Sequence, residues 1–128
     1  MYLLDTNACL DFLLAREPRI RPRIEAAFGS LVVSSISLAE LRVGNRQSED
    51  PEGDQERIDR FLAGVHVAVF DEAAASAYGA MMRSLDVRRT SFDRLIAAHA
   101  LSIDATLVTR NGQHFADVPR LVMEDWTA

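Results

Sequence analysis

The sequence predicts one α/β domain spanning residues 1–128, built on a parallel sheet covered by helices on both faces. Three observations predict it. The chain has 128 residues, close to the size at which one hydrophobic core serves a whole domain. Hydrophobic residues make up 48% and charged residues 26%, the mix of a globular domain rather than of a disordered or repetitive chain. Short apolar, β-rich runs alternate with stretches whose apolar residues recur every three or four positions. Strand–helix alternation of that kind is how parallel strands are connected.

The elements follow in order. Tyr2 to Leu4 is a short buried strand ending at Asp5, and Asn7 to Leu14 is a helix broken by Glu17-Pro18. A second helix runs from Pro18 to Phe28 and stops at Gly29; Leu31-Val32-Val33 is the second strand. Ser37 with Glu40 three residues on has the spacing of a capping box, opening a helix that carries Leu38 and Leu41 and ends near Gly44. Gln47 to Gln55 is a polar loop, and Ile58, Phe61 and Leu62 form the stripe of a short helix. Val65 to Phe70 is a strand. Asp71 opens a long helix with Ala74, Ala77, Tyr78, Met81, Met82 and Leu85 on one face. Arg88 to Ser91 connects it to a helix whose stripe is Phe92, Leu95, Ile96, His99, Ala100 and Ile103. Thr106 to Thr109 is a strand stopped by the turn Arg110-Asn111-Gly112, and Leu121-Val122-Met123 is the last strand.

Composition removes several chemistries. One cysteine, Cys9, allows neither an internal disulfide nor a cysteine-built zinc site. All 14 basic residues are arginine, so there is no Walker-A lysine, no Schiff-base lysine and no receiver-domain lysine. No apolar run approaches the ~18 residues of a membrane span. The opening Met1-Tyr2-Leu3-Leu4-Asp5 lacks the basic region of a secretory signal, which makes the cytoplasm the expected compartment. A net charge of −5 gives no general attraction to nucleic acid.

Three acids stand at element ends. Asp5 directly follows the first strand, where open α/β sheets bind ligands; it is either an N-cap or a metal or phosphate ligand. A phosphatase of the haloacid-dehalogenase kind needs a second Asp two residues on, and Asn7 stands there. Glu40 fits a capping box and equally a ligand; Asp93 fits a first-turn acid and equally a ligand. Gathered in one small domain, the three would repel one another, and a bound Mg²⁺ or Mn²⁺ would relieve that repulsion.

Four stretches carry a resemblance: Leu4-Asp5-Thr6-Asn7, Ser34 to Leu41, Phe92 to Ala100 and Ala105 to Asn111. In their order and spacing they resemble the PIN domain, and within it the VapC-type toxins of toxin–antitoxin pairs. The resemblance covers nearly the whole chain. It implies a PIN-like three-layer α/β sandwich, with a central, mostly parallel sheet of about five strands flanked by helices, and the Asp5 strand near its centre. It implies an endoribonuclease dependent on Mg²⁺ or Mn²⁺, with Asp5, Glu40 and Asp93 as the catalytic, metal-holding acids. Thr6 and Asn7 would position Asp5, while Thr109, Asn111 and His114 would support the site or contact the scissile phosphate. Many members carry a fourth acid after the Thr109 strand; here Asn111, Gly112, Gln113 and His114 occupy that stretch, and Asp117 comes later.

Arg88, Arg89, Arg94 and Arg110 flank the acids and are candidates for RNA contact; Arg16, Arg19, Arg21 and Arg23 are either a solvated helix edge or a second such patch. The expected partners are a cognate VapB-type antitoxin, an RNA substrate and a second copy of the chain, with no membrane. A catalytically silent PIN-like module binding RNA or protein is the alternative reading. A metal-free ribonuclease using His99 or His114 is a third, although His99 lies on a helix stripe and reads first as a core histidine.

Overall fold

Consecutive side chains of a strand point to opposite faces of its sheet, and in this chain that alternation sorts the core into two halves. The computed structural model describes residues 1–86 and 89–128. The chain forms β1 (Tyr2–Leu4), α1 (Thr6–Leu13), α2 (Ile20–Ala26), β2 (Leu31–Ser34), α3 (Ser35–Val43) and α4 (Pro51–Ala63). It continues through β3 (His66–Ala68), α5 (Glu72–Ser84), α6 (Phe92–Ser102), β4 (Thr106–Val108) and β5 (Met123–Glu124). All five strands are parallel, in the order β3-β2-β1-β4-β5. Leu4, Val33 and Val108 pack on one face against Cys9, Ile20, Ile24, Ile58 and Phe61 from α1, α2 and α4. Leu3, Val32 and Leu107 pack on the other against Met81, Ile96, Ala97 and Ala100 from α5 and α6. The expected α/β sandwich, with the Asp5 strand at its centre, is the architecture found.

Boundaries differ where a cap decides them. Ser34, the last residue of β2, is the cap of α3: its Oγ accepts the Ile36 N–H at 3.1 Å. Ser37 lies one turn inside that helix, buried, so its spacing to Glu40 is not a capping box. Gly44 ends α3 with φ +72°, a left-handed position that glycine adopts without strain. The polar loop is shorter than its composition suggests. Asp50 Oδ1 accepts the Gly53 N–H at 3.1 Å, Pro51 takes the first helical position, and α4 starts there. The second helix spans only Ile20–Ala26, and a 3₁₀ turn over Phe28–Ser30 completes the stretch. The last strand moves to Met123–Glu124, because β4 donates from Leu107 to Val122 and from Thr109 to Glu124. Phe92, counted into the α6 stripe, is 55% exposed: it occupies the first turn, beyond the edge of the core.

A C-terminal segment folds back over the sheet. Trp126, the single tryptophan, is 3% exposed; its ring meets Tyr2 edge-on at 5.1 Å, and its indole N–H donates to Glu124 Oε1 at 3.0 Å. Arg23 lies 5.3 Å above that ring and pairs with Glu124. Arg21 pairs with Glu25 and covers Phe12, and Arg16 pairs with Asp11, so most of the basic run at 16–23 serves the fold. No helix among the described residues is long and apolar enough to cross a membrane.

Candidate active site

Strands β2 and β3 lie to one side of β1, and β4 and β5 to the other, so the sheet's topological switch point is the crevice between β1 and β4. Ligands of open parallel sheets bind beyond the carboxyl ends of the strands at such a point. Asp5 stands there, and its backbone N–H bonds Val108 O at 3.1 Å, beside Thr109 at the end of β4. Its Oδ1 accepts the Ala8 N–H at 2.7 Å, so Asp5 caps α1 while also facing the crevice. Of the two roles left open by the sequence, the N-cap is the one this hydrogen bond fills.

Asp5 is 2% exposed. Burial pushes its carboxyl up to about 6; the Thr109 hydroxyl and the Ala8 N–H pull it down, and the charges of Asp93 and then Asp11 add to the rise. The rise comes mainly from loss of water and only secondarily from the repulsion of neighbouring acids. Asp93, on the first turn of α6, is half-exposed. His114 Nδ1 stands 3.9 Å from Asp93 Oδ2. They share an open cleft of about 540 Å³ with Arg94 and Asp117.

Glu40 is held separately. The Thr6 hydroxyl donates to Glu40 Oε1 at 2.7 Å and lies 3.1 Å from Ser37 Oγ. Thr6 therefore orients Glu40, not Asp5 as expected. Asn7 is half-buried on the first turn of α1. Thr109 is 2% exposed, and its Oγ1 accepts the Asn111 N–H at 3.0 Å. Bonded also to Asp5, Thr109 has no face for a phosphate: it positions Asp5, and Asn111 positions Thr109. The structure thus brings Asp93 and His114 to one cleft, leaves Asp5 buried at the end of β1 within range of the Asp93 charge, and holds Glu40 through Thr6. Among the described residues no three His, Cys, Asp or Glu side chains stand close enough together to hold an ion as placed.

The arginines sort by partner. Arg94 forks onto Asp117 at 2.9 and 3.1 Å with a side chain 14% exposed, so its guanidinium is committed to that carboxylate and not offered to a phosphate. The same fork holds Asp117 below the usual carboxylate range and places it in the Asp93 cleft, nearer than its sequence position suggests. Arg110 pairs through Nε with Asp11 at 3.1 Å and through Nη1 with Glu17 at 3.6 Å. Arg89 is exposed, and Arg88 lies outside the described residues. His99 is 1% exposed, with Nδ1 2.8 Å from Ser34 Oγ and its ring edge-on to Phe70 at 5.4 Å. Burial lowers its pKa, as fits a neutral core histidine and not a catalytic base.

One residue near the site was passed over in the sequence. Asp11, in α1, is 1% exposed between Arg16 at 3.0 Å and Arg110 at 3.1 Å. Neither guanidinium lies along a hydrogen-bonding direction of its oxygens. Burial raises the Asp11 carboxyl, and the two arginine charges oppose that rise. The pair ties α1 to the segment carrying Thr109 and Asn111. The available signal was an acid between Leu10 and Phe12 in an otherwise apolar helix.

A parallel sheet with a buried acid at its switch point, and further acids on the flanking helices, fits a PIN domain, and the family model described as PIN domain matches residues 2–121. The chain is 33% identical to "Ribonuclease VapC2" of Rickettsia felis over 98% of each chain. It is 33% identical to "tRNA(fMet)-specific endonuclease VapC" of Shigella flexneri, again over 98% of each. A crystal structure of DNA-bound VapBC from Salmonella typhimurium superposes with a TM-score of 0.89 at 30% identity, covering 98% of this chain and 97% of that one. The chain belongs to the VapC ribonucleases of the PIN-domain family.

Proposed function

We propose that this chain is the toxin of a toxin–antitoxin pair, an endoribonuclease whose RNA hydrolysis depends on Mg²⁺ or Mn²⁺. The observation that carries the reading is Asp5: a carboxylate buried at the sheet's switch point, raised to about 6, with the Asp93 charge beside it. A buried carboxylate next to a second one gains from a cation, and oxygen donors suit a hard one. Asp5 and Asp93 would hold the ion, and Glu40, kept in place by Thr6, would complete its shell or orient the attacking water. When bound, such an ion supplies an activated water and neutralises charge on the phosphoryl oxygens. Ala8 and Thr109 fix the Asp5 carboxylate, and the exposed His114 and Arg89 would meet the RNA backbone.

The relatives whose structures are titled VapBC support a VapB-type antitoxin as partner. A groove of about 330 Å³ between α1, α3 and α4, with Leu10, Leu13, Leu41 and Ile58 in its wall, suits an apolar segment of that partner. An arginine or lysine from the same partner would pair with the acids of the crevice. The cytoplasm and a homodimer complete the reading.

The test is cleavage of single-stranded and hairpin RNA. The wild-type chain is expected to cut with Mg²⁺ or Mn²⁺ and to stop in excess chelator, and Asp5→Asn is expected to be inactive yet folded. Activity undiminished in chelator would overturn the metal requirement, and a fully active Asp5→Asn would remove Asp5 from the chemistry.

A further inference from the structure

Phe92 is the first residue of α6, directly before Asp93. Its side chain is 55% exposed and belongs to neither half of the core. A lone exposed aromatic is unremarkable on a protein surface, but this one has a particular setting. It lines a shallow pocket of about 240 Å³ with Ala39, Glu40 and Val43 of α3. Val43 is 72% exposed and Ala39 is also exposed. The pocket therefore has one of the acids assigned to the RNA-cleaving site, Glu40, in its wall, and its aromatic residue directly precedes a second, Asp93, in the chain.

We propose that Phe92, with Ala39 and Val43 opposite, is a stacking shelf for the nucleobase adjoining the scissile phosphate. The inference rests on the ribonuclease reading and names a subsite within it. The charge of the pocket selects the ligand part. Among the described residues its one ionisable wall group is the Glu40 carboxylate, which repels phosphate and so favours an uncharged planar group over the sugar–phosphate backbone. Its volume is below the ~300–1,000 Å³ of pockets that enclose whole small-molecule ligands, which suits one base and not a nucleotide. Position adds to this: Glu40 stands in the pocket wall and Asp93 follows Phe92 in the chain, so the shelf adjoins two residues assigned to the cleavage site. Because every base has a π face, the shelf strengthens binding of single-stranded or loop RNA without reading its sequence.

The experiment uses the full chain with Phe92→Ala and Phe92→Trp. Once the cleaved bond has been mapped on an unlabelled oligoribonucleotide, 2-aminopurine is placed next to it. Binding is read by fluorescence quenching in chelator, and cleavage is read with Mg²⁺ or Mn²⁺ present. The wild-type chain is expected to quench the probe. Phe92→Ala is expected to lose the quenching and to raise KM about 5- to 150-fold at unchanged kcat, the fold-change equivalent of ~1–3 kcal/mol of stacking at ~1.4 kcal/mol per tenfold. Phe92→Trp is expected to restore both. A Phe92→Ala chain with wild-type quenching and KM overturns the shelf while leaving the ribonuclease reading intact. So does a KM defect that Phe92→Trp does not recover, or a Phe92→Ala chain that loses only self-association or antitoxin binding. A wild-type chain that neither binds nor cuts RNA overturns the ribonuclease reading and the shelf with it.

Discussion

Removing the charge of Asp5 is expected to destroy activity and strengthen the fold. Burial raises the Asp5 carboxyl from 3.8 to about 6. Two units correspond to ~3 kcal/mol at ~1.36 kcal/mol per unit. The sign follows from proton counts. Below about pH 4 the carboxyl is protonated in both folded and unfolded chains, and no cost arises. From about pH 4 to about pH 6 the folded chain keeps a proton that the unfolded chain releases, so stability falls as pH rises, and above about pH 7 the full cost is carried. Asn stays neutral and keeps an oxygen for the Ala8 N–H, so the cap of α1 survives. With the weaker neutral bonds discounted, Asp5→Asn should gain about 1–3 kcal/mol near pH 7, a rise in Tm of roughly 4–12 °C for a domain of this size. The advantage should vanish near about pH 4 and narrow when Mg²⁺ is added, since a ligand of the folded state alone stabilises it. Circular-dichroism melts across pH, with and without Mg²⁺, measure this. An Asp5→Asn chain that melts lower than wild type by the same margin at every pH would refute the burial argument.

Asp93→Asn should raise the metal-free Tm near neutral pH by less than Asp5→Asn does, because Asp93 contributes less than burial to the Asp5 shift; melts of the two variants side by side decide it. Arg110→Ala leaves the buried Asp11 with only Arg16, and urea unfolding should show a loss of about 1–2 kcal/mol, below the cost of a fully buried pair because the Arg110 side chain is 36% exposed. Gly44→Ala forces φ +72° on a residue with a Cβ and brings that Cβ to 3.4 Å from Gln55 Nε2, so it should cost about 1–2 kcal/mol in the same assay. His114→Asp places an oxygen donor where His114 faces Asp93 at 3.9 Å, and calorimetric titration should show tighter Mg²⁺ binding; unchanged affinity would place position 114 outside the ion's reach.

Periodicity and strand ends were enough to read the sheet, its central strand and the placement of Asp5, because those features are local: Leu3 and Leu4 must face opposite cores, and the residue after Leu4 must sit at the strand's carboxyl end. What the sequence hid is long-range. Arg94 lies 23 residues from Asp117 and Arg110 lies 99 from Asp11, and no local pattern announces either pair. Both arginines looked like phosphate contacts until their carboxylates were in place. Thr6 was assigned to Asp5, its neighbour in sequence, but its hydroxyl reaches 34 positions along the chain to Glu40. Ser37 matched a capping box by spacing, yet the backbone had already found its cap at Ser34. Phe92 matched the helical stripe in phase, but phase does not say where along a helix the core ends.

The docking of Trp126 on Tyr2 and Arg23 gives the molecule an internal reporter. With one tryptophan in the chain, intrinsic fluorescence comes mainly from the place where the segment after β5 closes over β1 and α2. The optical signal therefore follows the fastening of that flap, while the helical circular-dichroism band follows the layers on either side of the sheet. Where the two transitions coincide, the flap and the sheet are one cooperative unit; where fluorescence changes first, the flap is a separate, weaker one.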